Sequence, residues 1–164
     1  MVRIALEAMS AAAFAPFGSA IDIGERVPEA INDGTTQRYA DIAQLEMREP
    51  VIGLYVAQAR NFPLAVEKLE RHRLAEQVFI PLGPHRFVIV VAPGIGSPEW
   101  DAIRAFVTAP GQGVVLRRGC WHHGLIALGD GDRFAVIEGG SYREDTREAA
   151  APRVIELTVP PDLR

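Results

Sequence analysis

Short β-branched and aromatic runs recur at about ten-residue spacing, Gly, Pro, Asn and Asp turns separate them, and the helical stretches are marginal. Together these predict an all-β protein, a barrel or double-sheet jelly roll. The 164 residues are the length of one domain, so residues 1–164 are read as a single unit that buries a core without disulfides.

Ser10 is positioned to cap a short helix over Ala11 to Phe14, broken by Pro16 and Gly18. Ile21 and Ile23 alternate weakly around Asp22. Asn32-Asp33-Gly34-Thr35 predicts a tight turn, because these residues tolerate positive φ, and the chain leaves it through Arg38 and Tyr39. Val51 to Ala57 reads as a buried strand ended by Gln58 to Asn61 and Pro63. Leu64, Val66 and Leu69 suggest one or two helical turns, after which Glu70 and His72 share one face if the backbone is extended. Val78 to Leu82 and Phe87 to Val91 read as a hairpin around Gly83-Pro84-His85, with His85 exposed. Glu99 to Ile103 suggests a helical turn. Strands then follow at Ala105 to Val107, Val114 to Leu116, Cys120 to Leu128 and Phe134 to Ile137, with turns at Pro110 to Gly113 and Gly129 to Asp132. Val154 to Val159 alternates as a last strand.

Charge narrows the function. The chain carries 17 basic and 21 acidic residues, a net charge of −4, without a dense Lys/Arg stripe, so a small-molecule site is expected and nucleic acid is not. The single Cys120 rules out an internal disulfide and a thiolate zinc cage, which fits a reducing compartment, with a cytoplasmic location as the default. Neither a signal peptide nor a run near the roughly 20 apolar residues of a membrane span is visible, so no membrane partner is expected.

Imidazole is the side chain best matched to metal ligation or proton transfer near neutral pH, which directs attention to Gly119-Cys120-Trp121-His122-His123. In a strand His122 and His123 face opposite sides, so one points inward and the other is structural. Glu70, His72, Gln77 and His122 supply oxygen and nitrogen donors from two distant segments, as a barrel site for a borderline divalent cation requires.

Glu70-x-His72-x4-Gln77 with Gly83, and Gly119-x-x-His122, resemble the two motifs of the cupins, with Glu70 in place of the first His and Gln77 in place of the Glu. More specifically, the chain resembles the ureidoglycolate lyases, also called ureidoglycolate hydrolases, of allantoin and purine degradation. The resemblance runs from about Phe14 to Val136 and rests on Ile31-Asn32-Asp33-Gly34 with Arg38-Tyr39, Asn61 with Pro63-Leu64, Leu69-Glu70-Arg71-His72, Gln77 with Phe79-Ile80-Pro81, Arg104-Ala105-Phe106, Gln112-Gly113 and Trp121-His122-His123. Where the family has Pro after Trp-His-His this chain has Gly124. It has Leu116 for a frequent Tyr, and Gly139-Gly140-Ser141-Tyr142-Arg143 where Gly-Gly-x-Asn-Cys is usual.

The resemblance implies a cupin double-stranded β-helix, a carbon-nitrogen lyase releasing urea and glyoxylate, a divalent metal with nickel or manganese favoured, no organic cofactor, and a homodimer. On that basis His122 and His72 are the expected catalytic pair, and Glu70, His72, Gln77 and His122 the expected metal ligands. Arg38, Tyr39, Asn32, Gln77, Arg104 and Trp121 are the expected substrate contacts, one Arg clamping the carboxylate in fork geometry. Two other readings remain: a cupin enzyme for a different 2-hydroxy or 2-keto acid, and a non-catalytic cupin that binds glyoxylate or a ureide.

Overall fold

The computed structural model describes residues 1–163. Its strands are β1 (Val2–Ile4), β2 (Leu6–Ala8), β3 (Gly18–Ile21), β4 (Glu29–Ile31), β5 (Thr36–Arg38), β6 (Pro50–Ala57), β7 (Leu64–Ala65), β8 (Lys68–His72), β9 (Gln77–Pro81) and β10 (Phe87–Ala92). They continue with β11 (Arg104–Val107), β12 (Gly113–Leu116), β13 (Trp121–His122), β14 (Ile126–Ala127), β15 (Asp132–Gly139), β16 (Thr146–Ala150) and β17 (Ile155–Leu157). The α-helices are two single turns, α1 (Ala11–Phe14) and α2 (Tyr142–Asp145). Ser10 caps α1 as expected, its hydroxyl accepting from the Ala13 N–H at 3.1 Å.

Alternation along β10 explains the layering. Phe87, Ile89 and Val91 join a core with Phe79, Val114, Phe134 and Val136 of the sheet β3-β12-β9-β15-β6. Val88, Val90 and Ala92 face the other way, onto a second core with Ile4, Leu64, Ile155 and Leu157 of the small sheet β1-β17-β7. The sheet β16-β8-β13-β10-β11-β2, with β14 also pairing β10, is therefore buried on both faces at its centre, which is why β10 is apolar throughout. This is the cupin-like, all-β jelly roll expected from the strand and turn pattern.

Four local expectations are corrected. Leu64 to Leu69 is not helical: β7 pairs with β17, and β8 pairs with β13 and β16, so tertiary pairing overrides the helical spacing of three apolar residues. β9 and β10 do not form a hairpin, because β9 pairs with β12 and β15 while β10 pairs with β11, β13 and β14. The Gly83-Pro84-His85 connection instead crosses between sheets, and His85 is partly buried, with Nε2 3.0 Å from the Arg133 carbonyl. β6 is a strand, but it is the sheet's edge, and Ile52, Leu54 and Val56 are 74%, 63% and 71% exposed.

The β4–β5 hairpin forms at the predicted turn. Asn32, Asp33 and Gly34 take φ of 53°, 55° and 82°, the region these residue types accept at least cost. Gly18 is required by space, since a Cβ there would lie 1.8 Å from the Val115 carbonyl oxygen across the β3–β12 pair.

Candidate active site

Strand register brings the distant donors together. β8 is extended, so Glu70 and His72 share its inner face, and β13 sets His122 directly opposite Glu70. The two imidazole centroids are 5.4 Å apart, and one ligand atom from each of Glu70, His72 and His122 lies within 4.8 Å of the others. His122 is 1% exposed. Sequence spacing had nominated all three.

The hydrogen-bond network assigns both tautomers. His122 Nδ1 lies 3.0 Å from the Cys120 carbonyl oxygen, which can only accept, so Nδ1 carries a proton and, in the neutral ring, Nε2 the lone pair. The Thr146 hydroxyl donates to the Tyr142 carbonyl at 2.7 Å and accepts from His72 Nδ1 at 3.2 Å, which leaves His72 Nε2 unprotonated too. Both Nε2 atoms are buried without a hydrogen-bond partner, and Glu70 Oε1 stands 3.5 Å from His122 Nε2. With both rings neutral, the two Nε2 lone pairs converge with the Glu70 carboxylate. Such a set fits a divalent cation or a transferred proton.

The contact with His122 holds the Glu70 carboxyl below its ordinary value, against the opposing pull of burial. Burial, and then the neighbouring His122, push the His72 imidazole down, favouring its neutral form. From the facing sheet, Gln77 lies against His72 and donates its amide N–H to Glu138, leaving its Oε1 buried and unpaired. Tyr55 on β6 points to the same interior. Its ring packs edge-on to Phe79 at 6.3 Å, and burial, followed by the charges of Glu138 and Glu70, raises its phenol.

Glu138, Thr146 and Tyr55 were missed by the sequence reading. A signal for Glu138 exists: it shares the inward register of Phe134 and Val136, where a carboxylate is out of place unless it serves a site. Thr146 carries no such mark.

Other expected residues fall elsewhere. Arg104 is not available as a carboxylate clamp, because its guanidinium takes both oxygens of Glu7, at 2.9 and 2.6 Å, and the Ala13 carbonyl, and it lies 4.6 Å over the Phe106 ring. Trp121 faces away from the triad into the second core, under the Arg71 guanidinium at 4.5 Å, so it is a core residue and not a substrate contact. Asn32 and Arg38 bond within the exposed hairpin, to Thr36 and Glu29, and half-buried Tyr39 follows them. Cys120 is no nucleophile, since burial pushes its thiol up to about 12.

Replacing Arg104 with Ala should lower Tm by roughly 2–4 °C, the scale of about 1 kcal/mol for a partly exposed ion pair in a chain this long, and leave turnover unchanged. Arg104 depresses the Glu7 carboxyl from its ordinary 4.5. Its stabilisation is therefore present above pH 4.5 and lost as pH falls through the lower folded value, so the variant should show a shallower acid limb in melting curves. Lost activity with unchanged Tm would return Arg104 to the site.

A cavity of about 270 Å³ opens beside Glu70, lined by Arg60, Ala65, Glu67, Lys68, His123 and Gly124. Lys68 is held by Glu148 at 2.5 Å, whereas Arg60 has no carboxylate partner among the described residues. Of the residues that depart from the family pattern, Gly124 lines this cavity, Leu116 is buried opposite Gln77 and Ser141 is exposed at the start of α2. His123 turns its Nδ1 to the Gly124 carbonyl, off the triad.

Comparison with known proteins agrees with the geometry. The family described as Ureidoglycolate lyase matches residues 1–158. The ureidoglycolate lyase of Burkholderia mallei is 39% identical over 162 residues, covering 96% of this chain and 95% of that protein. That of Azotobacter vinelandii is 40% identical over 139 residues, covering 82% and 84%. That of Pseudomonas fluorescens is 36% identical over 165 residues, covering 93% and 99%. The chain belongs to the ureidoglycolate lyase family and is an enzyme of the lyase type.

Proposed function

We propose that the chain splits ureidoglycolate into urea and glyoxylate at the Glu70–His72–His122 triad. The observation that carries this is the pair of buried, unpartnered Nε2 lone pairs facing one carboxylate, inside a chain with this family membership.

The substrate holds a hydroxyl, a carboxylate and a ureido nitrogen on one carbon. Cleavage removes the hydroxyl proton, lets the oxygen electron pair form the aldehyde C=O, breaks the C–N bond and returns a proton to the departing nitrogen. Because both exchanging groups sit on the same carbon, one imidazole can serve both. His122 Nε2 accepts the hydroxyl proton, Glu70 stabilises the imidazolium, and the same N–H delivers the proton to the urea nitrogen. His72, whose imidazole burial pushes down, acts as a donor of its lone pair. Arg60 at the cavity rim holds the carboxylate, and Gln77 Oε1, fixed through Glu138, accepts from a ureido N–H.

Alternatively, Glu70, His72 and His122, with Gln77 Oε1 as a fourth donor, would hold a divalent cation, His122 Nε2 then being a ligand and not the base, and imidazole with carboxylate suits nickel or manganese. When bound, such an ion supplies Lewis-acid polarisation of the substrate's oxygens. We further place the protein in the cytoplasm, as a homodimer, in allantoin and purine degradation. No helix among the described residues is long and apolar enough to cross a membrane.

Turnover of ureidoglycolate should exceed that of simple 2-hydroxy acids by on the order of 100-fold or more, because a site built to pair ureido groups leaves them unpaired with the analogue. Equal or better turnover of another 2-hydroxy acid would assign a different substrate. Tight glyoxylate binding without turnover would make the chain a sensor.

A further inference from the structure

We infer that the cavity beyond the C-terminal end of β10, walled by the β12–β13 loop and by Arg71, binds a phosphate group, either as the free ion or on a small ester. Arg71 lies between Glu70 and His72 in the chain and so faces the opposite side of β8, and no triad side chain lines this cavity. Charge and shape alone carry the inference, independent of the lyase chemistry.

The cavity measures about 420 Å³, and Arg71, Arg117 and Arg118 line it without a carboxylate. The chain as a whole carries a net charge of −4, and its other hollows mix the two signs. Arg60 and Lys68 share theirs with Glu67 and Glu70, Arg86 with Asp132 and Asp162, Arg153 with Glu99 and Asp101, and Arg3 with Glu156. A concave wall of one sign focuses the potential and concentrates ions of the other.

Neutral acceptors fix these guanidiniums without cancelling their charge. Arg117 donates to the Ala15 and Pro16 carbonyls at 2.8 and 3.3 Å. Arg71 donates to the Ile95 carbonyl and lies 4.5 Å over the Trp121 ring, while its Nε is buried without an acceptor, so the chain does not saturate this group. Of the three, only Arg118 is paired with a carboxylate among the described residues. That partner, Glu46 at 3.1 Å, has a side chain 83% exposed, which makes the pair a weak and exchangeable one.

Phosphate is the anion such a wall suits. A carboxylate offers two oxygens in one plane and is satisfied by one guanidinium fork, whereas a phosphate dianion presents oxygens in several directions to several forks. The volume also falls in the range of small-molecule sites, roughly 300–1,000 Å³. Pro16, Phe17, Ala92 and Ile95 add apolar wall, Ile95 standing 95% exposed, so a short organic group is accommodated behind the phosphate.

Titration calorimetry with inorganic phosphate, glycerol 3-phosphate and succinate tests this on the wild-type chain, on Arg117→Gln/Arg118→Gln and on His122→Gln. Gly119 and Cys120 also line the cavity but are left in place, because the Gly119 N–H donates to the His72 carbonyl at 2.6 Å and the Cys120 carbonyl holds His122. Both arginines are exposed, so melting curves should show the double variant folded, and Arg118→Gln alone, which gives up only a surface pair, is a second chain that reads the same wall. The phosphate compounds are expected to bind the wild type and His122→Gln alike, and to bind the double variant about 10-fold more weakly or worse, the scale of a lost charged hydrogen bond. An ester that binds about 10-fold tighter than inorganic phosphate assigns an organic ligand, and equal affinities assign the free ion. Absence of binding at millimolar concentration, undiminished affinity in the arginine variants, loss of binding in His122→Gln, or succinate binding as tightly as the phosphates overturns the inference.

Discussion

Replacing His122 with Gln is expected to lower urea release by about 10²–10⁴-fold, the usual loss when a positioned acid–base group is removed. Gln is the informative choice. His122 is almost completely buried between Glu70 on β8 and Val91 on β10, and Ala would leave a void, mixing a packing defect with a chemical one. The amide of Gln keeps polar contact with the Cys120 carbonyl while offering no group that accepts and returns a proton near neutral pH. Melting temperature should stay within a few degrees of the parent. Turnover near the wild-type rate in the folded variant would remove His122 from the chemistry.

Glu70→Gln should be nearly as damaging, with a loss on the order of 100-fold, by a different route. The carboxylate is the acidic member of three converging donors, and its contact with His122 holds its carboxyl below the ordinary value against the opposing pull of burial. With a neutral amide in its place, the imidazolium formed at His122 has no counter-charge and a divalent cation loses its anionic ligand. Two readouts separate these effects. Nickel or manganese should raise the wild-type Tm by mass action, and the same titration should leave the variant's Tm unmoved. An identical cation-dependent rise in the variant would exclude Glu70 as a ligand.

Much of this site was legible because the chemistry rides on strand periodicity. Glu70 and His72 two residues apart commit to one face once β8 is extended, and Gly119 and His122 lie where a strand turns inward. What sequence could not give was the destination of side chains whose partners are remote. Arg104 reads as a clamp until Glu7, on a strand 97 residues earlier in the chain, is seen to take both of its forks. Trp121 precedes His122 and so faces the other core. Glu138 and Thr146 act through Gln77 and His72, a dependence that no local pattern encodes.

The fold was legible to a similar depth and failed for related reasons. Turn chemistry placed the Asn32–Thr35 and Gly129–Asp132 corners, and alternation placed most strands. Pairing was not deducible: β9 and β10 are apolar neighbours around a Gly-Pro turn, the usual signature of a hairpin, yet the jelly roll sends them to opposite sheets. The apolar run of β6 reads as interior from composition, and the structure sets it at an edge, where Ile52, Leu54 and Val56 are exposed.

The most direct test of the account is the simultaneous measurement of urea and glyoxylate released from ureidoglycolate by the wild-type chain and by His122→Gln. The account predicts equimolar products from the wild type and a loss of at least about 100-fold in the variant. Absence of urea from the wild type supplied with nickel or manganese, or equal rates from both chains, would contradict it.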